Sequence, residues 1–178
     1  MVKLLESYDD IFPTSFVNKI ENFVLNSLEC PFYYNSSLTS PDHTSFFPGL
    51  TNPFFDERIL NDVYFPLSQV LYKFCSIKDI DLLKIYMGRV FLQLPLNQKP
   101  PIEPHVDRHH PHLVCLYYVN DSDGDTVFYD ESGNEIKRIS PKKGRVAFFD
   151  GSIQHSAGNP TKNHRAVINF CFHGKPIK

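Results

Sequence analysis

The 178-residue chain predicts a mainly β, α+β fold, in which helices buttress a β-sandwich or barrel. Three observations carry that expectation. Two apolar patterns of helical period lie in the first half of the chain, and strand-length apolar runs cut by turn residues fill the second. Composition agrees, with sixteen Phe, nine Tyr, no Trp and fourteen Pro, a mix that favours short strands over long helices. At 42% hydrophobic, the chain is long enough for one core and too short for two comfortable ones. One domain over residues 1–178 is expected, with 1–81 a helical and loop buttress and 82–178 the β core.

The first helix is read from Thr14 to Leu28, where Phe16, Val17, Ile20, Phe23, Val24 and Leu25 fall at helical spacing behind a Thr/Ser start. A second helical pattern begins near Asn52-Pro53 and runs to about Phe74, with Ile59, Leu60, Val63, Leu67, Val70 and Leu71 apolar and Pro66 placed to kink or divide it. Between them, the Pro-rich, aromatic stretch from Pro31 to Phe55 reads as a loop or short strands over a site. Strands are expected at Leu82 to Leu94, Leu113 to Val119, Thr126 to Tyr129, Glu135 to Ser140, Arg145 to Phe149 and Arg165 to His173. Asp121-Ser122-Asp123-Gly124, Ser132-Gly133-Asn134 and Lys142-Lys143-Gly144 supply the turn chemistry between them.

A net charge of -2 implies no general attraction to nucleic acid or anionic lipid. Met1 to Asp10 lacks the basic flank and apolar run of a signal peptide, and no later stretch is long and apolar enough to span a bilayer. A soluble, cytoplasmic protein is expected. Cys30, Cys75, Cys115 and Cys171 lie far apart without a CxxC pair, which fits a reducing compartment. Nothing in the sequence names an oligomeric state.

The chemistry concentrates in His105-Val106-Asp107, His155 and Arg165. Two imidazoles and one carboxylate form the facial set that holds Fe(II) and leaves coordination positions open for reagents. Alternation along an extended segment would put His105 and Asp107 on one face, with His155 arriving from a distant strand. An HxD dipeptide alone is weak evidence. The context strengthens it: Pro141-Lys142-Lys143-Gly144 and an apolar strand lead to His155, and Arg165 follows ten residues later.

With Cys115-Leu116-Tyr117-Tyr118-Val119-Asn120 and Asp123-Gly124-Asp125-Thr126-Val127-Phe128 in between, this motif order resembles the Fe(II) and 2-oxoglutarate dependent oxygenase superfamily, in particular its prolyl-4-hydroxylase-like branch and the compact phage or microbial members of it. The resemblance covers about half the chain, from roughly Leu82 to His173. It implies a double-stranded β-helix, a jelly roll of cupin type. It further implies a dioxygenase that hydroxylates a C–H bond of a prolyl residue or another peptide or small-molecule substrate. Fe(II), 2-oxoglutarate and O2 would be required and ascorbate supportive.

Carried over residue by residue, His105, Asp107 and His155 bind the metal and Arg165 holds the far carboxylate of 2-oxoglutarate, a task that suits an always-charged, forked guanidinium. Tyr118 matches a cosubstrate-contacting tyrosine and Thr126 a pocket-lining position, although both are also ordinary strand residues. Asn169 shares the face of Arg165 and reads as an outer partner of the site. Arg89 and Gln93 share parity on the preceding strand and are further pocket candidates, with Tyr86 the nearest counterpart of the branch's usual tyrosine there.

The His109-His110-Pro111-His112 run reads as an exposed loop rather than a second metal centre, with Arg108 or His109 shaping the mouth of the site. Nucleic-acid demethylation is disfavoured because relatives with that activity carry a further arginine after the one matching Arg165, which is the last in this chain. A halogenase is disfavoured by the intact Asp107. The rival reading is a cupin-like barrel that binds a metal or ligand without oxygenase turnover; its signature would lack an arginine ten residues after the second histidine.

Overall fold

The computed structural model describes residues 3–36, 38, 48–95 and 103–177. Twelve elements follow in order: β1 (Leu5–Tyr8), α1 (Thr14–Asn26), β2 (Tyr33–Asn35), β3 (Gly49–Asp56), α2 (Tyr64–Ile77), β4 (Ile80–Gln93), β5 (Leu113–Tyr118), β6 (Thr126–Tyr129), β7 (Glu135–Ile139), β8 (Val146–Asp150), β9 (Gln154–Ala157) and β10 (Arg165–Pro176). A seven-stranded sheet, β1-β8-β5-β10-β4-β3-β2, faces a three-stranded sheet, β7-β6-β9, and every pairing is antiparallel. This is the double-stranded β-helix. No helix among the described residues is long and apolar enough to cross a membrane.

The central strands β5, β8 and β10 of the large sheet are buried on both faces, and strand alternation sorts their side chains into two cores. On β5, Cys115 and Tyr117 face the helices while Val114, Leu116 and Tyr118 face the small sheet. On β10, Ala166, Ile168, Phe170 and Phe172 pack towards Leu67, Leu71 and Phe74 of α2, and Val167 and Cys171 towards Phe128 and Phe149. The same parity places Arg165 and Asn169 inside the barrel. A register shift pairs Cys171 with Met87 but Phe172 with Ile85, so β4 changes face at Tyr86. From Met87 onward its odd-numbered residues point inward.

Helix α1 matches its expected place. Near Asn52 the structure differs from the expected helix: Gly49–Asp56 is a strand paired to β4, and the helix begins only at Tyr64. Pro53 lacks a ladder N–H and sits at the register shift that precedes Phe55, where a strand tolerates it. Pro66 falls in the first turn of α2, where its missing N–H removes no intrahelical bond, so it neither kinks nor divides the helix. Asn61 organises the junction, accepting from Val63 N and donating to Asn52 Oδ1 and Pro53 O. The first 81 residues therefore hold three whole strands and the start of β4 as well as helices, and β1 and β3 extend the large sheet on either side.

Strand β1 is tied to β8 by a bidentate Arg145–Asp9 pair at 2.6 and 2.8 Å. The hydrogen bond from Arg145 lowers the Asp9 carboxyl from 3.8 to about 2. A carboxyl depressed in the fold contributes stability above its unfolded value and loses it as pH falls from about 4 to about 2. The pair is solvent-exposed, so Asp9→Asn should flatten the acid limb of a denaturation-midpoint profile by no more than about 1 kcal/mol.

Candidate active site

His105 and His155 meet through a two-way backbone bridge, His105 N to His155 O at 3.0 Å and the reverse at 2.9 Å. Residues 103–112 form no continuous strand. The bridge and Arg108 hold the segment in place instead. Arg108 forms an ion pair with Asp56 of β3 and donates to Tyr86 O at 3.2 Å. His155 lies on β9 opposite Phe128, with the Phe149 ring 5.0 Å away at a T-shaped angle.

The ligand atoms of His105, Asp107 and His155 all lie within 4.8 Å of one another, with His155 Nε2 3.7 Å from Asp107 Oδ2. Each histidine places Nδ1 3.2 Å from the carbonyl two residues before it, Glu103 O and Ile153 O. A carbonyl only accepts, so Nδ1 carries the proton and Nε2 keeps its lone pair for a metal. Burial opposes charge on Asp107, but the imidazoles of His155 and His105 and the Asn169 amide, 3.1 Å from Oδ2, outweigh it and hold the carboxyl below its usual range. Burial holds the His155 pKa down. An ionised carboxylate beside an imidazole whose charged form burial disfavours, as at His155, is the protonation state a divalent ion requires.

Arg165 opens β10 at the inner end of the same cavity and is only 2% exposed. Its Nε donates to Gly124 O at 2.8 Å, Nη1 to Gln93 Oε1 at 2.7 Å and Nη2 to Thr126 Oγ1 at 2.8 Å. All three acceptors are neutral, and among the described residues no carboxylate pairs with the guanidinium. Three of its five N–H groups are used, which leaves one on each terminal nitrogen. Gln93 Nε2 is likewise buried without a partner. Leaving a cation and an amide donor buried and unpaired is costly, and an incoming carboxylate satisfies both.

Gly124 makes this close approach feasible. A Cβ there would stand 2.7 Å from Gly158 O and 3.0 Å from Arg165 Cδ. Gly124→Ala should lower stability by about 1–3 kcal/mol through overpacking and displace the guanidinium. Thermal denaturation with and without 2-oxoglutarate would show both effects.

The expected residues divide by position. His105, Asp107, His155, Arg165, Thr126, Gln93 and Asn169 line one cavity, whose apolar walls are Leu38, Phe91, Leu116, Ala157 and Val167. Tyr118 stands behind that wall, its hydroxyl 2.6 Å from Thr126 Oγ1 and its ring centroid 5.7 Å from Arg165 Cζ. Arg89 pairs across strands with Asn169 but does not line the cavity. The Tyr86 ring meets His110, centroids 4.3 Å apart. His112 corrects the exposed-loop expectation: its ring packs against Gly151 and the residue is 6% exposed. Of the Pro31 to Phe55 stretch, residues 37 and 39–47 lie outside the described residues, while Leu38 reaches the cavity. The walls Phe91, Leu116 and Val167 went unnamed in sequence, although the parity of β4, β5 and β10 points to them.

Residues 95–173 match the family model of the 2OG-Fe(II) oxygenase superfamily. No curated protein matches the chain in sequence. Among solved structures, a prolyl hydroxylase from Trichoplax adhaerens, in complex with a hypoxia inducible factor oxygen degradation domain peptide fragment, is similar at TM-score 0.69 and 14% identity, over 94% of this chain and 82% of that one. A viral collagen prolyl hydroxylase from Paramecium Bursaria Chlorella virus-1, in a 2OG complex, is similar at TM-score 0.57 and 14% identity, over 97% and 96%. The non-heme alpha ketoglutarate dependent epimerase SnoN from nogalamycin biosynthesis is similar at TM-score 0.65 and 12% identity, over 95% and 77%. At these identities the structural likeness speaks for the fold; the match to the 2OG-Fe(II) oxygenase superfamily rests on residues 95–173, which include His105, Asp107 and His155.

Proposed function

We propose that the chain works as one domain, a 2-oxoglutarate-dependent dioxygenase that hydroxylates a prolyl residue in a peptide. The observation that carries this reading is the pairing, in one cavity, of a His-Asp-His set with a buried arginine that forms no salt bridge among the described residues. His105, Asp107 and His155 would hold Fe(II), and Arg165 with Gln93 would hold the distal carboxylate of 2-oxoglutarate. When bound, the iron and its cosubstrate couple reduction of O2 to conversion of 2-oxoglutarate into succinate and CO2 and to oxidation of a substrate C–H bond.

The protein's own part is positioning. Asn169 donates to Asp107 Oδ2 and fixes the plane of the carboxylate. The backbone carbonyls of Glu103 and Ile153 fix the tautomer of both imidazoles. Tyr118 holds Thr126, which in turn accepts from Arg165, so the guanidinium keeps its angle. Phe91, Leu116 and Val167 exclude water from the reacting space and limit side reactions.

A peptide substrate is supported by the Trichoplax relative, which is seen with a peptide fragment. Exposed Tyr33 and Tyr34 on edge strand β2, followed by Leu38 at the cavity, offer a surface beside the site that suits an extended chain. The test is succinate release from protein loaded anaerobically with Fe(II), then given 2-oxoglutarate, ascorbate and air, with and without a panel of proline-containing peptides. Iron-dependent succinate that rises with one peptide, together with a 16 Da gain on its proline, is the expected result. Succinate that no peptide stimulates would remove the peptidyl substrate and keep the oxygenase.

A further inference from the structure

A second group of metal-ligating side chains meets at the same carboxylate. The ligand atoms of Asp107, His112 and Cys171 lie within 4.8 Å of one another. Cys171 projects inward from β10 and places Sγ 3.7 Å from Asp107 Oδ2, the oxygen that also lies 3.7 Å from His155 Nε2. His112 stands one residue before β5, and β5 pairs with β10 so that Val114 is opposite Cys171.

His112 is built for a role that no neighbour fills. Its Nδ1 lies 2.8 Å from His110 O, an acceptor, so Nδ1 carries the proton and Nε2 the lone pair. That Nε2 is buried and has no hydrogen-bond partner among the described residues. A Cβ at Gly151 would lie 2.2 Å from Nε2 and 2.4 Å from both Cδ2 and Cε1, so the ring lies face-on against a glycine that leaves room for it. Gly151 N also donates to His112 O at 2.9 Å, which fixes the residue.

We infer that Asp107, His112 and Cys171 form a second cation site, selective for a thiophilic divalent ion such as Zn2+, that competes with the His105, Asp107, His155 set. A carboxylate, an imidazole and a thiolate are ligands that suit Zn2+, with a fourth position left for water. Loading exchanges the Cys171 S–H bond for an S–metal bond and sends one proton to solvent, with no change of oxidation state. Because Asp107 belongs to both groups, occupancy of one withdraws the carboxylate from the other. The inhibitory consequence rests on the oxygenase reading above, whereas the site itself does not.

Cobalt(II) tests the site directly, because a thiolate bound to it gives an intense near-ultraviolet charge-transfer band that nitrogen and oxygen ligands alone do not give. The metal-free full chain, kept reduced and anaerobic, should develop this band on addition of Co2+ and lose it on addition of Zn2+. Cys171→Ser and Cys171→Ala should abolish the band with unchanged far-ultraviolet dichroism, and His112→Ala should weaken it. His105→Ala, which breaks the other set, should keep it. A wild-type chain without the band, or a band that survives both Cys171 variants, would overturn the inference. Succinate formation with no thiolate band would remove the second site alone. A thiolate band in a protein that never makes succinate would sustain the site and remove its inhibitory role.

Discussion

Asp107→Ala is expected to reduce iron-dependent succinate formation by more than about 100-fold, beyond the 10- to 100-fold that loss of an outer partner of a metal ligand brings. The carboxylate is the only negative charge in the His-Asp-His set and, on this account, the one group that offsets the charge of the ion. The fold should survive, because the substitution removes an acceptor from Asn169 Nδ2 and from Cys171 Sγ but opens no part of the hydrophobic core. Melting and dichroism should stay close to wild type while Fe(II) binding is lost. Wild-type levels of succinate from this variant would place the metal elsewhere. Asn169→Ala should be milder, about 10-fold, since it frees the carboxylate without removing it.

Arg165→Met should affect both stability and binding. Gly124 O, Gln93 Oε1 and Thr126 Oγ1 would lose their donor at a buried place, a loss of about 2 kcal/mol after allowing for relief of an uncompensated charge. Two charge-assisted hydrogen bonds to a carboxylate contribute about 1.5 kcal/mol or more each, so 2-oxoglutarate affinity should fall at least about 100-fold. Arg165→Lys retains the charge but loses the fork, and should fall between the two. Stability measurements separate the effects. With Mn2+ present and 2-oxoglutarate at about 100 times its dissociation constant, the wild type should gain about 2.7 kcal/mol and Arg165→Met almost nothing.

The residues gathered in the cavity were legible because local spacing and strand parity place them. Arg165 and Asn169 share a face whatever the rest of the barrel does, and so do Arg89 and Gln93. What escaped was decided by long-range pairing. Residues 52–56 lead into an apolar pattern of helical period that begins at Ile59, yet partner β4 makes them a strand. The HxD segment owes its shape to the backbone bridge with His155 and to Arg108 on Asp56, neither of which a dipeptide reveals. His112 looked like part of a polar loop because its neighbours are polar; a space left by Gly151, thirty-nine residues away, takes it inside. Arg89 shows the limit of parity, since sharing a face with Gln93 did not bring it to the same cavity.

On the proposed function, one cavity binds Fe(II) through His105, Asp107 and His155 and 2-oxoglutarate through Arg165. An anaerobic titration of the purified chain with Fe(II) and then 2-oxoglutarate, followed by visible absorbance, reads both at once through the metal-to-ligand charge-transfer band of a chelated keto acid. The expected band saturates with each component, disappears in Asp107→Ala, and needs far more 2-oxoglutarate in Arg165→Met. Absence of the band in the wild type, or its persistence in Asp107→Ala, would contradict that function.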